Sequence, residues 1–279
     1  MKSSRESYIV IYFLVLASAA IFLLPLFWMV STSLKPTSQI FLSPPKWIPS
    51  PITWEHFRNA ISEFRFSLYF KNTAIITGLN VLAAILINPM VAFSFALLRW
   101  PTRDFWFMVM LSTIMLPLPV TIIPLFIIFR NLGWLDTYLP LIILPFFGHP
   151  LFIFLLRQFM RKIPLDLIDA ARIDGCSNYR IYWNIILPLI KAPIATIATF
   201  QFMWSWNDFF MPLIFINKTS MKTLSLGLMD YLGQTSSGGF VDWGALMAAG
   251  FLSLIPCVVI FLIAQEYLVE GITFTGIKR

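Results

Sequence analysis

Side chains that do chemistry are scarce in this chain. Its 279 residues include two histidines and two cysteines, and Asp, Glu, Lys and Arg together make up only 12% of the sequence. His56 and His149 fall in separate segments without metal-ligand spacing, so no metal site is expected. Cys176 and Cys257 lie far apart in predicted depth, which argues against a structural disulfide. No Gly-Lys dipeptide occurs; the phosphate-cradling G-x-x-x-x-G-K-[ST] loop is therefore absent, and hydrolysis of ATP by this chain is excluded. No nucleophile stands beside a base, and no cluster of His, Glu or Asp marks a membrane-embedded enzyme. The net charge of +7 comes without a concentrated basic run, which argues against nucleic acid and for orientation relative to a bilayer.

Apolar residues are abundant instead: 58% of the chain is hydrophobic and 16% aromatic, too much for a water-soluble domain of this size. Apolar runs at about 8–30, 69–98, 105–129, 138–156, 193–216 and 243–268 are each read as a span across about 30 Å of hydrocarbon. The expectation is an all-α integral membrane protein of six transmembrane helices forming one permease domain over 1–279. Ala17-Ser18-Ala19 imitates a signal-peptide cleavage site, but the apolar run continues past it, which favours an uncleaved span. An even number of spans puts both ends on one side. Lys2, Arg5, Arg99, Arg103, Arg157, Arg161, Lys162, Arg172, Arg180, Lys191, Lys278 and Arg279 share that face, whereas the opposite face holds fewer basic residues over more loop. Both termini are therefore placed in the cytoplasm.

Proline punctuates the rest. Pro36, Pro44, Pro45, Pro49 and Pro51 make 31–71 an extended strap with a short helix at about 54–63. Pro89, Pro117, Pro119, Pro124, Pro140, Pro145, Pro150, Pro212 and Pro256 lie inside spans, where freed carbonyls need new partners, and they predict bent helices lining a pathway. The fifth span carries Gln201, Trp204, Trp206, Asn207 and Asp208. A carboxylate at membrane depth needs a wet or partnered setting, so Trp204, Trp206, Asn207 and Asp208 are candidate substrate-pathway residues. Anchoring of the aromatics at the membrane interface is an equal alternative. Residues 217–242, rich in Ser and Gly, read as a flexible outer loop.

One stretch interrupts the oily pattern with polarity: 163–191. Pro164 suits a first helical turn, Asp166 and Asp169 complement the exposed amides of a helix N-terminus, and Gly175 suits a left-handed stop after Asp174. A helix over 165–174 is expected, with Leu165, Ile168, Ala170 and Ala171 as an apolar face for a partner's groove. A second helix over about 178–187 should end or kink at Pro188.

Asp169-Ala170-Ala171, Gly175, Ile185, Leu187 and Pro188 resemble, in order and spacing, the "EAA" cytoplasmic loop of ABC importer permeases, with Asp169 in place of Glu. The resemblance implies the type I ABC importer permease fold and a coupling helix that docks into an ATPase subunit through Asp169, Ala170, Ala171, Asp174, Gly175, Ile185, Leu187 and Pro188. Residues 33–36, 44–47 and 206–210 are similar to segments of sugar-type permeases. The ending 270–279 resembles the tail of maltose-type permeases, which implies ATPase contact near Gly276 and Lys278. The implied protein is a multi-pass component of the bacterial inner membrane that takes up a sugar or oligosaccharide. It would work with a second permease, two ATPase subunits holding ATP and Mg, and an extracytoplasmic sugar-binding protein, with no cofactor of its own. A permease for a non-sugar solute, or a secondary transporter working without ATPases, are the alternatives; the latter would need internal repeats and several ionisable residues at membrane depth.

Overall fold

The computed structural model describes residues 2–62, 64–234 and 241–273; among them the secondary structure is helical, with no strand. Four segments are long and apolar enough to cross a membrane: Tyr8–Ser33, Phe66–Leu97, Leu139–Met160 and Trp243–Tyr267. Two helix pairs pass the same test when joined across a sharp bend, Arg103–Met115 with Leu118–Asn131 at 99° and Asn178–Leu189 with Lys191–Trp206 at 78°. Counting each bent pair as one span gives up to six; in the second pair Lys191–Trp206 is the arm that belongs to the expected fifth span, while Asn178–Leu189 falls in the polar stretch 163–191.

The bends follow proline chemistry, though not at every proline. Pro117 is extended at φ −70° and ψ 142°, and Leu116 before it is extended as well. A proline ring pushes the preceding residue out of the helical region, so the expected third span at 105–129 is broken in two rather than merely kinked. Pro25, Pro89 and Pro256 instead sit inside continuous helices. Next to Pro89 the Asn88 side chain donates to the Ala84 carbonyl at 2.8 Å, a bond one residue away from the Ile85 carbonyl that the proline leaves without its N–H. The fifth span, expected at 193–216, is the helix Lys191–Trp206 followed by a separate short helix, Phe210–Phe215.

The chain forms two compact units, residues 1–70 with 224–256, and 71–223 with 257–279. In the first, the proline-rich strap is ordered. Ser31 Oγ donates to the Trp47 carbonyl, and the Trp47 ring packs against Trp28 at 5.1 Å and Phe27 at 6.4 Å. The expected short helix is present at Glu55–Ser62; Glu63, its predicted end, lies outside the described residues. His56, 1% exposed, ties three segments together. Its Nε2 donates to the Lys35 carbonyl at 2.9 Å, and its Nδ1 lies 3.0 Å from the Asp242 carboxylate just ahead of the last helix. A Cβ added at Gly244 would overlap the His56 ring, so only glycine permits this approach. Lys35 is itself fully buried, its ammonium 3.9 Å from the Trp28 ring centre, and burial holds its pKa below the usual lysine range.

The loop 217–242, expected to be flexible, differs from expectation. It contains the helix Leu224–Gln234, anchored by Leu224 and Leu226, each 2% exposed. Leucines at that density bury a face, which composition in Ser and Gly alone obscures. Ser236 to Gly239 lie outside the described residues.

In the second unit, Phe152, Leu156 and Met160 are fully buried and join Phe93, Ile168, Ala171, Ile181, Ile186 and Ile197 in one cluster. Lipid is as apolar as leucine, so the lipid-embedded part of this core is held mainly by close packing rather than removal from water. The cluster seats the segment after Met160 directly on the spans.

Candidate functional site

The polar stretch folds as a peg. Leu165–Ile173 is helical and ends in a Schellman motif: the Gly175 N–H bonds the Arg172 carbonyl at 3.0 Å and the Cys176 N–H bonds the Ala171 carbonyl at 2.9 Å. Gly175 supplies the required left-handed residue at φ +79°. Ser177 then caps the next helix by accepting from the Arg180 N–H at 3.3 Å. The second element does not stop at Pro188. It opens into a π-helix at Tyr182–Ile186, resumes as Leu187–Leu189 and breaks at Ile190. Widening of the ladder ahead of a proline, which has no N–H and crowds the carbonyl one turn back, is how the chain passes it.

The peg's faces are divided differently from the sequence reading. Ile168 and Ala171 are buried in their own chain's core, at 2% and 7% exposure, and do not present themselves to a partner. The outward side consists of exposed Asp169, Ala170 and Asp174, with Leu165 at 56%, Ile173 at 87% and Tyr179 at 71% exposure. Asp169 is drawn to Arg172 of the same helix at 3.1 Å. Ile185 and Leu187 are half-buried and Pro188 is exposed. Gly276 and Lys278 lie outside the described residues.

A cavity of about 860 Å³ opens within the same unit, a size in the usual range for small-ligand sites. Trp204 and Asp208 line it, together with Gln201, Asn80 and His149. Trp206 and Asn207 do not: Trp206 is buried with its ring stacked on Phe202 at 5.4 Å, and the Asn207 amide closes its own helix on the Met203 carbonyl at 2.9 Å. The division falls at the end of the helix: Trp204 stands in its last turn, Trp206 turns into the core, and Asp208 lies in the break between Lys191–Trp206 and Phe210–Phe215, where the chain enters the cavity. The Trp204 indole is half-exposed and its ring lies nearly parallel to Phe152, 13° at 5.1 Å. Asp208 Oδ1 accepts from the Met211 N–H at 3.2 Å, capping the short helix beyond. Asn88 fixes the opposite wall by accepting from the His149 N–H at 2.7 Å. Asn80 and His149 were not singled out from sequence as ligand-binding residues. A signal existed for Asn80: Thr73, Thr77, Asn80 and Asn88 fall on one face of an otherwise apolar helix and all are buried.

Six apolar helical spans, a mostly apolar cavity with a few polar groups (Asn80, His149, Gln201, Asp208) among broken helices, and a rigid peg define a class: a multi-pass membrane transport permease. The chain belongs to the family of binding-protein-dependent transport system inner membrane components, whose profile matches residues 88–274. It is 32% identical over 269 residues to the arabinooligosaccharides transport system permease protein AraQ of Halalkalibacterium halodurans, covering 95% of this chain and 94% of that one. It is 30% identical over 278 residues to the sn-glycerol-3-phosphate transport system permease protein UgpE of Yersinia pestis, covering 98% of both. It is 32% identical over 260 residues to the diacetylchitobiose uptake system permease protein DasC of Streptomyces coelicolor, covering 91% of both. Its fold matches a chain in the crystal structure of a bacterial ABC transporter involved in the import of the acidic polysaccharide alginate, with a TM-score of 0.83 and 22% identity, covering 96% of this chain and 98% of that one. The protein is thus an ABC-importer-type permease of the bacterial inner membrane, and its family works with other transporter components.

Proposed function

We propose that this chain is one permease subunit of an ATP-driven importer of a sugar or oligosaccharide, a single transmembrane domain forming half of the translocation pathway. A homologous second permease supplies the other half, two separate ATPase subunits bind ATP and Mg, and an extracytoplasmic binding protein delivers the solute. Both termini and the peg face the cytoplasm, in keeping with the excess of basic residues on that side. The Leu165–Ile173 helix is the coupling element. Asp169, Ala170 and Asp174 line the docking surface, Ile173 and Tyr179 add its apolar contacts, and Gly175 locks its end. Ala171, Ile185 and Leu187 act from behind, fixing the helix to the spans, and the exposed Pro188 shapes the end of the second element. Gly276 and Lys278 belong to a tail reaching the same ATPases.

The observation that carries this reading is the set of exposed apolar side chains Leu165, Ile173 and Tyr179, at 56%, 87% and 71% exposure, on a segment whose other side is locked into the core. Exposed apolar side chains on a rigid projection mark a protein contact. Sugar as the solute is supported by relatives that handle arabinooligosaccharides and diacetylchitobiose, matched along nearly their whole length. The similarity to an sn-glycerol-3-phosphate permease favours a second reading, a phosphorylated non-sugar solute.

Affinity purification of the tagged chain from mild detergent, with identification of the chains that accompany it, tests the assembly. A nucleotide-binding ATPase and one further permease should co-purify. Recovery of this chain alone, under conditions that preserve membrane complexes, would contradict it.

A further inference from the structure

The cavity's charge and hydrogen-bonding inventory are lopsided. Among its lining residues Asp208 is the one carboxylate, and there is no lysine or arginine. Asn80, 5% exposed, donates through Nδ2 to the Leu141 carbonyl at 3.1 Å and to Ser205 Oγ at 2.9 Å. A carbonyl can only accept, so the nitrogen is fixed on that side and Oδ1 is the atom left over. That Oδ1 is buried without a partner, and so is His149 Nδ1. Buried polar atoms left unpaired are costly and call for a ligand or water to satisfy them. Asn80 Oδ1 and the Asp208 carboxylate both accept, so the complement they need is a donor. Hydroxyls of any sugar, neutral or acidic, can donate to these atoms; what separates the two is charge, because a carboxylate or phosphate would bring a second negative charge near Asp208 with no lysine or arginine in the lining to offset it. The half-exposed Trp204 ring, braced by Phe152, offers an aromatic face for the C–H side of a sugar ring.

We infer that this cavity takes sugars that carry no negative charge, and that Asp208 is the residue that excludes anionic ones. The inference rests on the transport reading above and narrows it: the solute is akin to a neutral oligosaccharide rather than to a uronate or a phosphate ester. Asn80 and His149 supply hydroxyl contacts and Trp204 the stacking face.

The test is saturation-transfer difference NMR, which detects weak binding, on the complex purified without its binding protein in nanodiscs of phosphatidylcholine. N,N′-diacetylchitobiose serves as the neutral probe and digalacturonate as the anionic one. The neutral probe should give signal on the unaltered complex and digalacturonate should give none. Trp204→Ala should weaken neutral binding about tenfold, the loss of one good contact. Asp208→Asn keeps an oxygen for the Met211 N–H and removes the charge; it should let digalacturonate bind and shift the anionic-to-neutral ratio by about tenfold or more. Co-purification of the ATPase confirms that each variant assembles. Digalacturonate binding to the unaltered complex as well as the neutral probe, no binding of either, or an unchanged ratio in Asp208→Asn would overturn the inference. Uptake of a sugar panel by cells with and without the gene separates the two levels. Gene-dependent uptake of acidic sugars keeps the transport reading and removes the charge selection; the absence of gene-dependent uptake of any sugar removes both.

Discussion

At the scale of single residues, Gly175 joins local geometry to function. Its left-handed φ of +79° lets the Gly175 and Cys176 N–H groups fold back on the last carbonyls of the peg helix. Nothing crowds the place where its side chain would be, so a larger residue meets backbone strain and not a steric clash. Holding an ordinary residue in that conformation costs about 1–2 kcal/mol, which a core of this size absorbs without unfolding. Gly175→Leu should therefore insert and remain folded, while the peg's end loosens and adds bulk at the docking surface. The expected result is loss of ATPase co-purification or of transport, with membrane insertion unchanged. Full transport by this variant would count against the peg as the coupling element.

At the scale of elements, the strap, the short helix and the last span are joined through His56 and Asp242. Burial pushes the Asp242 carboxyl up, but bonds from the Ala245 N–H at 3.0 Å and the Asn59 side-chain amide at 3.3 Å, with His56 facing it, outweigh burial and hold it below the usual carboxylate range. A carboxyl whose folded pKa is depressed stabilises the fold above its unfolded value, and that stabilisation is lost as pH falls through the folded one. Asp136 follows the same rule, held down by the Lys218 and Asn217 N–H groups. Removing the Asp242 side chain leaves several donors unpaired and should cost roughly 1–3 kcal/mol at neutral pH. Thermal unfolding followed by tryptophan fluorescence should show Asp242→Ala less stable than the parent at pH 7, with the gap narrowing below about pH 4. A gap that stays constant with pH would contradict the ionised latch.

These elements also show what the sequence makes legible. Run length and hydrophobicity locate the six spans because a bilayer demands a minimum apolar length. The peg's helix, its stop at Gly175 and the strap's short helix are equally local, set by caps and proline. Three features are not local. The helix Leu224–Gln234 depends on leucines finding a buried face; the clean break at Pro117 and the unbroken run through Pro89 differ only in what surrounds each proline. The cavity gathers residues far apart in sequence, Asn80 with Ser205 and Asn88 with His149, so which of the fifth-span polar residues reach it depends on where the helix breaks after Trp206. Ile168 and Ala171 read as a docking face from pattern alone, but an amphipathic helix does not declare which partner covers its apolar side.

At the scale of the whole molecule, the proposed role of this chain is passive: it holds the pathway and receives force. It has no phosphate-binding loop, and among the described residues no group of His, Cys, Asp and Glu is placed to hold a metal ion. The most direct measurement is transport by the purified chain in sealed proteoliposomes, first alone and then with the second permease, the ATPases, the binding protein and internal ATP. Solute should enter only with the complete set, and entry should stop when ATP is replaced by a non-hydrolysable analogue. Accumulation of solute by this chain alone, driven by an ion gradient without any ATPase, would show that energy enters by another route.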